Sequence, residues 1–445
     1  MGEKAKLIKS VLQIMTFRIL ASKDCFFIGT SSQKKKRKKK MFPDLKGKPS
    51  KNIISEKKLV KPSKSIIEEK IVVKPSNSIN QMDVDQANQI HFPEEIIVDI
   101  LSRLPVSSLL RFKCASKFWK TLISGPCFKA KHCNHAKNNK KLLICQVFSA
   151  VSSTSILYSA SLSSGRLVGD VQELGSPSNH IRCGYHILCC CDGLSLLLSA
   201  RDHHHFLWNP STNESVVLPS PEFPMVHTST YGMGYDSISD DYKILKIAKS
   251  SYDAVPSKIF ALKSGSWRII DNHPHAFHNK VSGRDSLAFL RGTFHWISED
   301  YLSKYFMVSF NISNEVYGEI PLPEGIGNIP HMGYLIHGVS VLEGMLCAYC
   351  TFKNKEAGTF KLWVMKDYGV KESWTELFTI RGTDLSLAVP KYRFADGEVL
   401  LYYEEGGYYG FRTSGGRPFG LLPSFLAVQE GLVYTESLIS PKLLT

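Results

Sequence analysis

The feature that most constrains this chain is a recurrence of turns. Past residue 140, short apolar or aromatic runs of about five to eight residues alternate with Gly, Ser, Asn or Asp turns, the pattern of many short strands. One series of turns centres on Gly165, Asn213, Gly265, Asn314, Gly369 and Gly416, in phrases such as ALKSGSW and MKDYGVKESW, with steps of 48, 52, 49, 55 and 47 residues. A second centres on Gly193, Ser239, Gly292, Gly344 and Gly397, steps by 46, 53, 52 and 53, and interleaves with the first. A unit of about 50 residues with two hairpins is a four-stranded sheet, and such sheets repeated radially make a β-propeller. The spacing predicts an all-β propeller of about six blades over residues 141–440. Closure ties the last blade to the first, and GLVYTESLIS, residues 431–440, is a lone strand available for it. A β-sandwich stack and a pair of separate β domains compete with this architecture, but the steady period argues against both.

A different texture precedes the blades, over residues 88–134. Pro93 followed by Glu94 and Glu95 starts a helix, with proline at its first position and acids at the positive end of the dipole. Ile97, Leu101 and Leu104, flanked by Ile96 and Ile100, keep helical spacing until Pro105 stops the run. A second helix suits Ser107 or Ser108 through Cys114, and a third starts after Ser116 and stacks Trp119 with Leu122 and Ile123. Three short helices in so short a stretch cannot bury a core of their own, because below about 40 residues a chain rarely holds itself together. This unit must lean on a partner or on the next domain.

The net charge of +15 suggests a nucleic-acid partner until it is apportioned. Residues 1–90 hold 21 Lys+Arg against 8 Asp+Glu, and residues 91–445 hold 34 against 32. The basicity therefore belongs to a tail, and the folded part is close to neutral. Residues 1–87 read as a disordered Lys-rich tail with a copied phrase, VKPSKSI and VKPSNSI. Within it Lys34, Lys35, Lys36, Arg37, Lys38, Lys39 and Lys40 form an unbroken cationic run, which suits a nuclear import signal or a loose polyanion contact. A solvated run without function, or a stretch outside the usual product with Met82 as its start, are the other readings. Nucleus and cytoplasm are the expected compartments. The apolar stretch LIKSVLQIMTFRIL is interrupted by Lys9 and Arg18 with no clean cleavage pattern after it, so neither a secretory signal nor a transit segment is expected. No run of about 18 apolar residues predicts a membrane span.

Eleven cysteines, an odd number without regular spacing, fit buried thiols in a reducing compartment. Cys347 and Cys350 form a lone CxxC with no second pair at zinc-finger spacing, so two buried or alternately facing thiols are expected rather than a metal. HILCCCD, residues 186–192, and His203, His204 and His205 flank one predicted hairpin, for which an exposed polar tip is the simpler reading. YGMGYD has no third glycine and no helix after it, and no G-x-S-x-G elbow occurs. No catalytic residue, metal or cofactor is assigned. YYEEGGYYGF, residues 402–411, and the loop of residues 273–280 are candidates for a recognition face, with no single substrate-binding residue chosen.

With helices and blades in hand, the chain resembles the plant F-box proteins that carry an F-box-associated or kelch-like interaction domain, the group that includes the S-locus F-box proteins. The carrying phrases are FPEEIIVDILSRLPVSSLLRFKCASKFWKTLISGPCF for the F-box, then CDGL, LWNPSTNES, YGMGYDSISDDYKILKI, FALKSGSWRII, GTFHWIS, MVSFNISNEVYGEIPLP and LWVMKDYGVKESWTELFTI. The resemblance implies a non-catalytic receptor subunit of a Skp adaptor–cullin–F-box (SCF) ubiquitin ligase. Its F-box would dock on a Skp-type adaptor, and through it on the cullin-RING scaffold, while the propeller holds an unknown protein for ubiquitination and degradation. Carried over residue by residue, the docking surface uses Phe92, Pro93, Ile97, Ile100, Leu104, Pro105, Leu109, Leu110 and Trp119. Phe92, Ala115 and Cys133 stand where the family more often has Leu, Val and Leu. Glycine doublets occur only at Gly406-Gly407 and Gly415-Gly416, so the kelch name fits the architecture better than the sequence. The alternative is a nuclear nucleic-acid or chromatin binder acting through the basic tail, which the near-neutral folded part disfavours.

Overall fold

The computed structural model describes residues 93–445 apart from 150–153, 163–170, 179–183, 222–228, 249–255, 272–285, 301–303, 325, 327–333, 354–357, 382–387, 404–406, 412–418 and 421–427. The tail with its cationic run at residues 34–40, Phe92 and the loop of residues 273–280 lie outside the described residues. The chain from Ile97 to Thr445 forms one compact unit.

Among the described residues, 24 strands pair into six antiparallel sheets of four. Blade 1 is built from β1 (Lys140–Ser149), β2 (Thr154–Ser161) and β3 (Gln172–Glu173) together with the final strand, β24 (Val428–Thr435). Blade 2 holds β4 (Tyr185–Cys191), β5 (Leu194–Ser199), β6 (His205–Asn209) and β7 (Glu214–Leu218). Blade 3 holds β8 (Ser229–Asp236), β9 (Asp241–Ala248), β10 (Ser257–Ala261) and β11 (Ser266–Ile270). Blade 4 is β12 (Ala288–Leu290), β13 (Thr293–Glu299), β14 (Tyr305–Asn311) and β15 (Tyr317–Ile320). Blade 5 is β16 (Tyr334–Leu342), β17 (Met345–Lys353), β18 (Gly358–Met365) and β19 (Trp374–Arg381). Blade 6 is β20 (Val389–Arg393), β21 (Val399–Tyr403), β22 (Gly407–Phe411) and β23 (Phe419–Gly420). The first strands pack side by side in the cycle β4, β8, β12, β16, β20, β24 and back to β4, which closes the ring.

Both turn series fall where the period put them. The second series joins first to second strands, and the described turns of the first join third to fourth strands. In three of the former the two turn residues both have positive φ: Asp192-Gly193 (47° and 82°), Arg291-Gly292 (53° and 74°) and Glu343-Gly344 (50° and 76°). That is the two-residue hairpin whose twist matches the strands. Gly193 is needed for space as well, since a Cβ there would stand 2.5 Å from the Thr435 carbonyl oxygen. In the NISNEV turn the left-handed residue is Glu315 (φ 60°), one position beyond Asn314.

Burial is concentrated between blades. Each of six apolar clusters joins one sheet to the next, such as Leu143, Leu432 and Tyr434 of blade 1 with Tyr185, Phe206 and Trp208 of blade 2. The ring ends on Leu142 and Ile144 of blade 1 against Phe394 and Leu400 of blade 6. At about 1.5–3 kcal/mol for each fully buried large side chain, these six seams hold the ring together.

A hydrogen-bonded clasp repeats at the outer edge. The Trp267 indole donates to the Pro219 carbonyl, the Tyr317 hydroxyl to the Asp271 carbonyl and the Trp374 indole to the Pro321 carbonyl, each at 2.8 Å. In the same place in blade 2, Ser215 Oγ donates to Pro177 O at 2.5 Å. Each runs from a fourth strand to the chain leaving the fourth strand of the previous blade. An ion network also ties blade 3 to blade 4. Lys243 Nζ lies 2.9 Å from Asp236 Oδ2 and donates to Ile312 O at 3.0 Å, while Ser313 Oγ donates to Asp236 Oδ1 at 2.5 Å.

The helical unit differs from the expectation of three helices. Among the described residues there are four: α1 (Glu94–Leu101), α2 (Val106–Ala115), α3 (Lys117–Ser124) and α4 (Pro126–Ala136). Pro126 sits at the first position of α4 and Gly125 before it, so the chain stops and restarts. The buried face of α4 is Phe128, His132 and Ala136, with one polar and one small residue, which hides its helical period in the sequence. The closing strand also differs: β24 covers residues 428–435, and residues 436–440 leave the sheet as an extended strap with Ser437 and Leu438 buried.

Candidate adaptor interface and its joint to the propeller

Pro105 separates α1 from α2, and Ser116 separates α2 from α3 with its Oγ accepting the Trp119 N–H at 3.2 Å, a cap that satisfies an otherwise orphan donor. Two side chains then tie α4 back to α1 and the turn after it. The Asp99 carboxylate meets Arg103 at 3.2 Å, Lys131 at 3.3 Å and His135 at 3.9 Å. The hydrogen bond from Arg103 is the largest influence holding its pKa below the usual carboxylate range. His132 is buried and donates from Nε2 to the Leu104 carbonyl at 3.1 Å, and burial lowers its pKa. These contacts fix the path of the chain around Leu104 and Pro105.

The expected docking residues fall into distinct environments. Pro93 and Pro105 are exposed, and Ile97, Ile100, Leu104, Leu110 and Trp119 are half-buried. Leu109 is fully buried, so it packs the interior of the helical unit and offers no surface to a partner. Its position on α2 places it with Val106 and Phe112, also buried, on the inner face that helical spacing generates. Trp119 is flanked by Phe112 at 6.1 Å and by Phe118 at 5.1 Å, edge-on. Phe118 itself is 56% exposed, an apolar ring facing solvent. Phe118 lies off the Trp119, Leu122 and Ile123 stripe, and that off-stripe placement is the sequence signal of an outward aromatic.

The helical unit meets the propeller at the strap. Glu436 accepts the Val106 N–H of α2 through Oε2 at 3.4 Å, and its Oε1 lies 2.6 Å from Lys141 Nζ of β1. One carboxylate thus spans the amino-terminal end of α2, where the dipole favours an anion, and blade 1. Beyond it, Asn209 at the end of β6 donates from Nδ2 to Ser437 O (3.0 Å) and Ile439 O (2.8 Å). The strap is therefore pinned to blade 2. This joint lies at the end of the propeller that carries the first-to-second strand turns. The described strands on either side of residues 273–280 and of residues 404–406 end at the opposite end, and of the recognition candidate at residues 402–411, Tyr402 and Tyr403 close one strand and Gly407–Phe411 form the next.

The thiol constellations resolve into packing. Cys347 and Cys350 are fully buried on opposite faces of β17, one against blade 6 and the other against blade 4. Burial pushes both thiols up to about 12. His203 and His204 form the exposed tip of the β5–β6 hairpin, whereas His205 is buried against Tyr231 of blade 3. Among the described residues no group of three or more His, Cys, Asp or Glu side chains is arranged to hold a metal ion.

Two family models match: one described as the F-box domain over residues 90–131, and one described as the F-box associated beta propeller domain over residues 144–408. An F-box/kelch-repeat protein of Arabidopsis thaliana is 28% identical over 359 residues, covering 79% of this chain and 96% of its own length. The F-box protein CPR1 of the same plant is 28% identical over 319 residues, covering 65% of this chain and 73% of its own length. A further Arabidopsis F-box protein is 27% identical over 353 residues, with 72% and 82% covered.

Proposed function

This chain belongs to the plant F-box proteins with an F-box-associated β-propeller, and from that membership we propose that it is the substrate-recognition subunit of an SCF-type E3 ubiquitin ligase. The F-box domain implies a Skp-type adaptor as partner, and the adaptor brings the cullin-RING scaffold. The family's role is that of a non-catalytic receptor, so the reacting thioester is supplied elsewhere and this chain contributes position. Holding a target lysine near that thioester raises its effective concentration, which converts a bimolecular encounter into a local one.

The observation that carries this reading is the succession of an F-box match and a propeller match in one chain. The strap supports it: with Glu436 bound to α2 and Asn209 holding the residues beyond, helices and blades present one fixed geometry to an assembly. The protein target belongs, in this reading, on the propeller end opposite the joint. Nuclear as well as cytoplasmic residence, with residues 34–40 as the import signal, is part of the same proposal.

The test is affinity purification of the full chain beside a Leu104→Ala, Pro105→Ala double variant, followed by mass spectrometry. The wild type is expected to retain the adaptor and cullin and the variant to lose both, with far-ultraviolet circular dichroism showing that its strands persist. A wild type that retains neither protein overturns the reading.

A further inference from the structure

The near-neutrality of residues 91–445 conceals an uneven distribution of charge. Of their 34 Lys+Arg and 32 Asp+Glu, ten Lys+Arg and no acid fall in residues 100–141, whereas residues 142–445 hold 24 and 29. The helices α2 to α4 are therefore strongly cationic and the propeller slightly acidic.

Part of the helical excess has partners. Arg103 and Lys131 meet Asp99, and Lys141 meets Glu436. Arg111 donates only to the neutral Ser108 Oγ, at 3.2 Å. Among the described residues no carboxylate stands within ion-pair distance of Arg111, Lys113, Lys117, Lys120 or Lys129. Arg111, Lys117 and Lys120 are exposed, and Lys113 and Lys129 are half-buried. The fold draws three of these cations together from three helices. Phe112 of α2 packs on Trp119 of α3 with ring centroids 6.1 Å apart, and the residues that follow them are Lys113 and Lys120. Burial first, then the charge of Lys129 on α4, holds the Lys113 pKa below its ordinary value; Lys120 adds to this, and Glu214 of blade 2 opposes it.

The same cations border the apolar docking residues. Arg111 follows Leu110 on α2, and Lys117 and Lys120 bracket Phe118 and Trp119 on α3. A partner that covers the exposed Phe118 ring comes within reach of both lysines. An ammonium group covered without an opposite charge loses hydration for nothing in return, whereas one met by a carboxylate forms a charge-assisted hydrogen bond. We infer that α2, α3 and α4 place a cationic rim around the adaptor-docking residues, and that the adaptor seated there meets it with an acidic surface. This rests on the receptor reading above. A nucleic acid would also answer the charge, but its phosphates offer no apolar surface to Leu110, Phe118 and Trp119, which a protein does. Rim charges of this kind act chiefly on encounter, by steering the partner in.

The test uses the full chain and a purified Skp-type adaptor, with association followed by surface plasmon resonance at low and high salt. Wild type is compared with a Lys117→Gln, Lys120→Gln double variant and with Lys366→Gln, Lys371→Gln, which removes the same charge from exposed positions on blade 5. Because Lys117 and Lys120 are exposed and pair with no carboxylate, the first variant is expected to keep the wild-type unfolding midpoint. Its association rate is expected to fall by about threefold or more at about 50 mM salt, with the gap closing near about 0.5 M as screening takes over. The blade 5 variant is expected to associate as wild type does. Equal low-salt rates for wild type and the Lys117, Lys120 variant overturn the rim and leave adaptor docking standing. An equal loss from the blade 5 variant overturns it too, since net charge then suffices. A single-stranded oligonucleotide that binds the first variant more weakly than wild type, with adaptor association unchanged, assigns the face to nucleic acid instead. A wild type that captures no adaptor at either salt overturns the receptor reading and the rim with it.

Discussion

Asn209 offers the sharpest test of how this propeller is held to its helical unit. It is fully buried, and its amide donates to Ser437 O and Ile439 O while its Oδ1 accepts the Ser211 N–H at 2.8 Å. Replacement by alanine strips the buried Ser437 carbonyl and the half-buried Ile439 carbonyl of their donor, at about 1–3 kcal/mol for each group left unsatisfied. An overall loss of about 2–6 kcal/mol is therefore expected for Asn209→Ala, a large fraction of the stability of an ordinary domain. Asn209→Asp keeps the shape but turns an acceptor toward two acceptors, so it is expected to cost more near neutral pH. The introduced carboxyl is buried among carbonyl oxygens, which raises its folded pKa above the unfolded value of about 3.9. A raised folded pKa places the missing stability at low pH: the variant recovers as the pH falls toward about 4 and loses that recovery as the pH rises through the folded pKa. Urea unfolding followed by tryptophan fluorescence measures both variants, and amide hydrogen exchange at residues 436–440 reports the strap directly. A cost below about 1 kcal/mol for the alanine variant, with strap protection unchanged, refutes the claim that Asn209 pins the strap.

The outer clasp makes a second prediction. Trp267→Phe and Trp374→Phe each keep most of the apolar ring and remove one donor, so each is expected to cost about 0.5–1.5 kcal/mol in urea unfolding. The two act at different blade junctions, and their effects are expected to add in the double variant; strong non-additivity contradicts independent clasps. The network between blades 3 and 4 makes a third. Burial alone would raise the Asp236 carboxyl, but the hydrogen bonds from Lys243, Ser239 and Ser313 outweigh it and hold its pKa well below the usual range. A depressed folded pKa gives stability that is present above the unfolded value and lost as the pH falls through the folded one. The advantage of wild type over Asp236→Asn is therefore expected to be full near pH 7 and to shrink below about pH 4. A difference that stays constant down to strong acid contradicts the ion pairing.

Much of the fold is legible without tertiary information because it is written in local signals. Gly193, Gly292 and Gly344 mark their turns since only a residue tolerant of positive φ closes a two-residue hairpin. Pro93 and Pro105 mark helix boundaries because proline lacks the N–H and fixes φ. The helix α4 is not legible for the opposite reason: its buried face includes His132, whose ring N–H is satisfied by the Leu104 carbonyl from a distant turn. The strap reads as strand in the sequence because alternation in GLVYTESLIS continues past Thr435, whereas pairing with β1 ends there. Among the docking residues, the sequence supplies the apolar set, but which members stay accessible depends on packing. Leu109 and Leu110 are adjacent and alike in sequence, and one is buried while the other is partly open.

The periodicity of about six blades, the separation of a helical unit from them and the confinement of excess charge to the tail are all readable along the chain. Each follows from composition and from spacing along a few tens of residues. Which groups meet across the ring is set by the folded chain alone. The clasps from Trp267 and Trp374, the hold of Asn209 on Ser437 and Ile439, and the contact of His205 with Tyr231 join residues tens to hundreds of positions apart. Side chains such as these have the same local pattern whether or not a partner stands opposite, and ring closure supplies the partner.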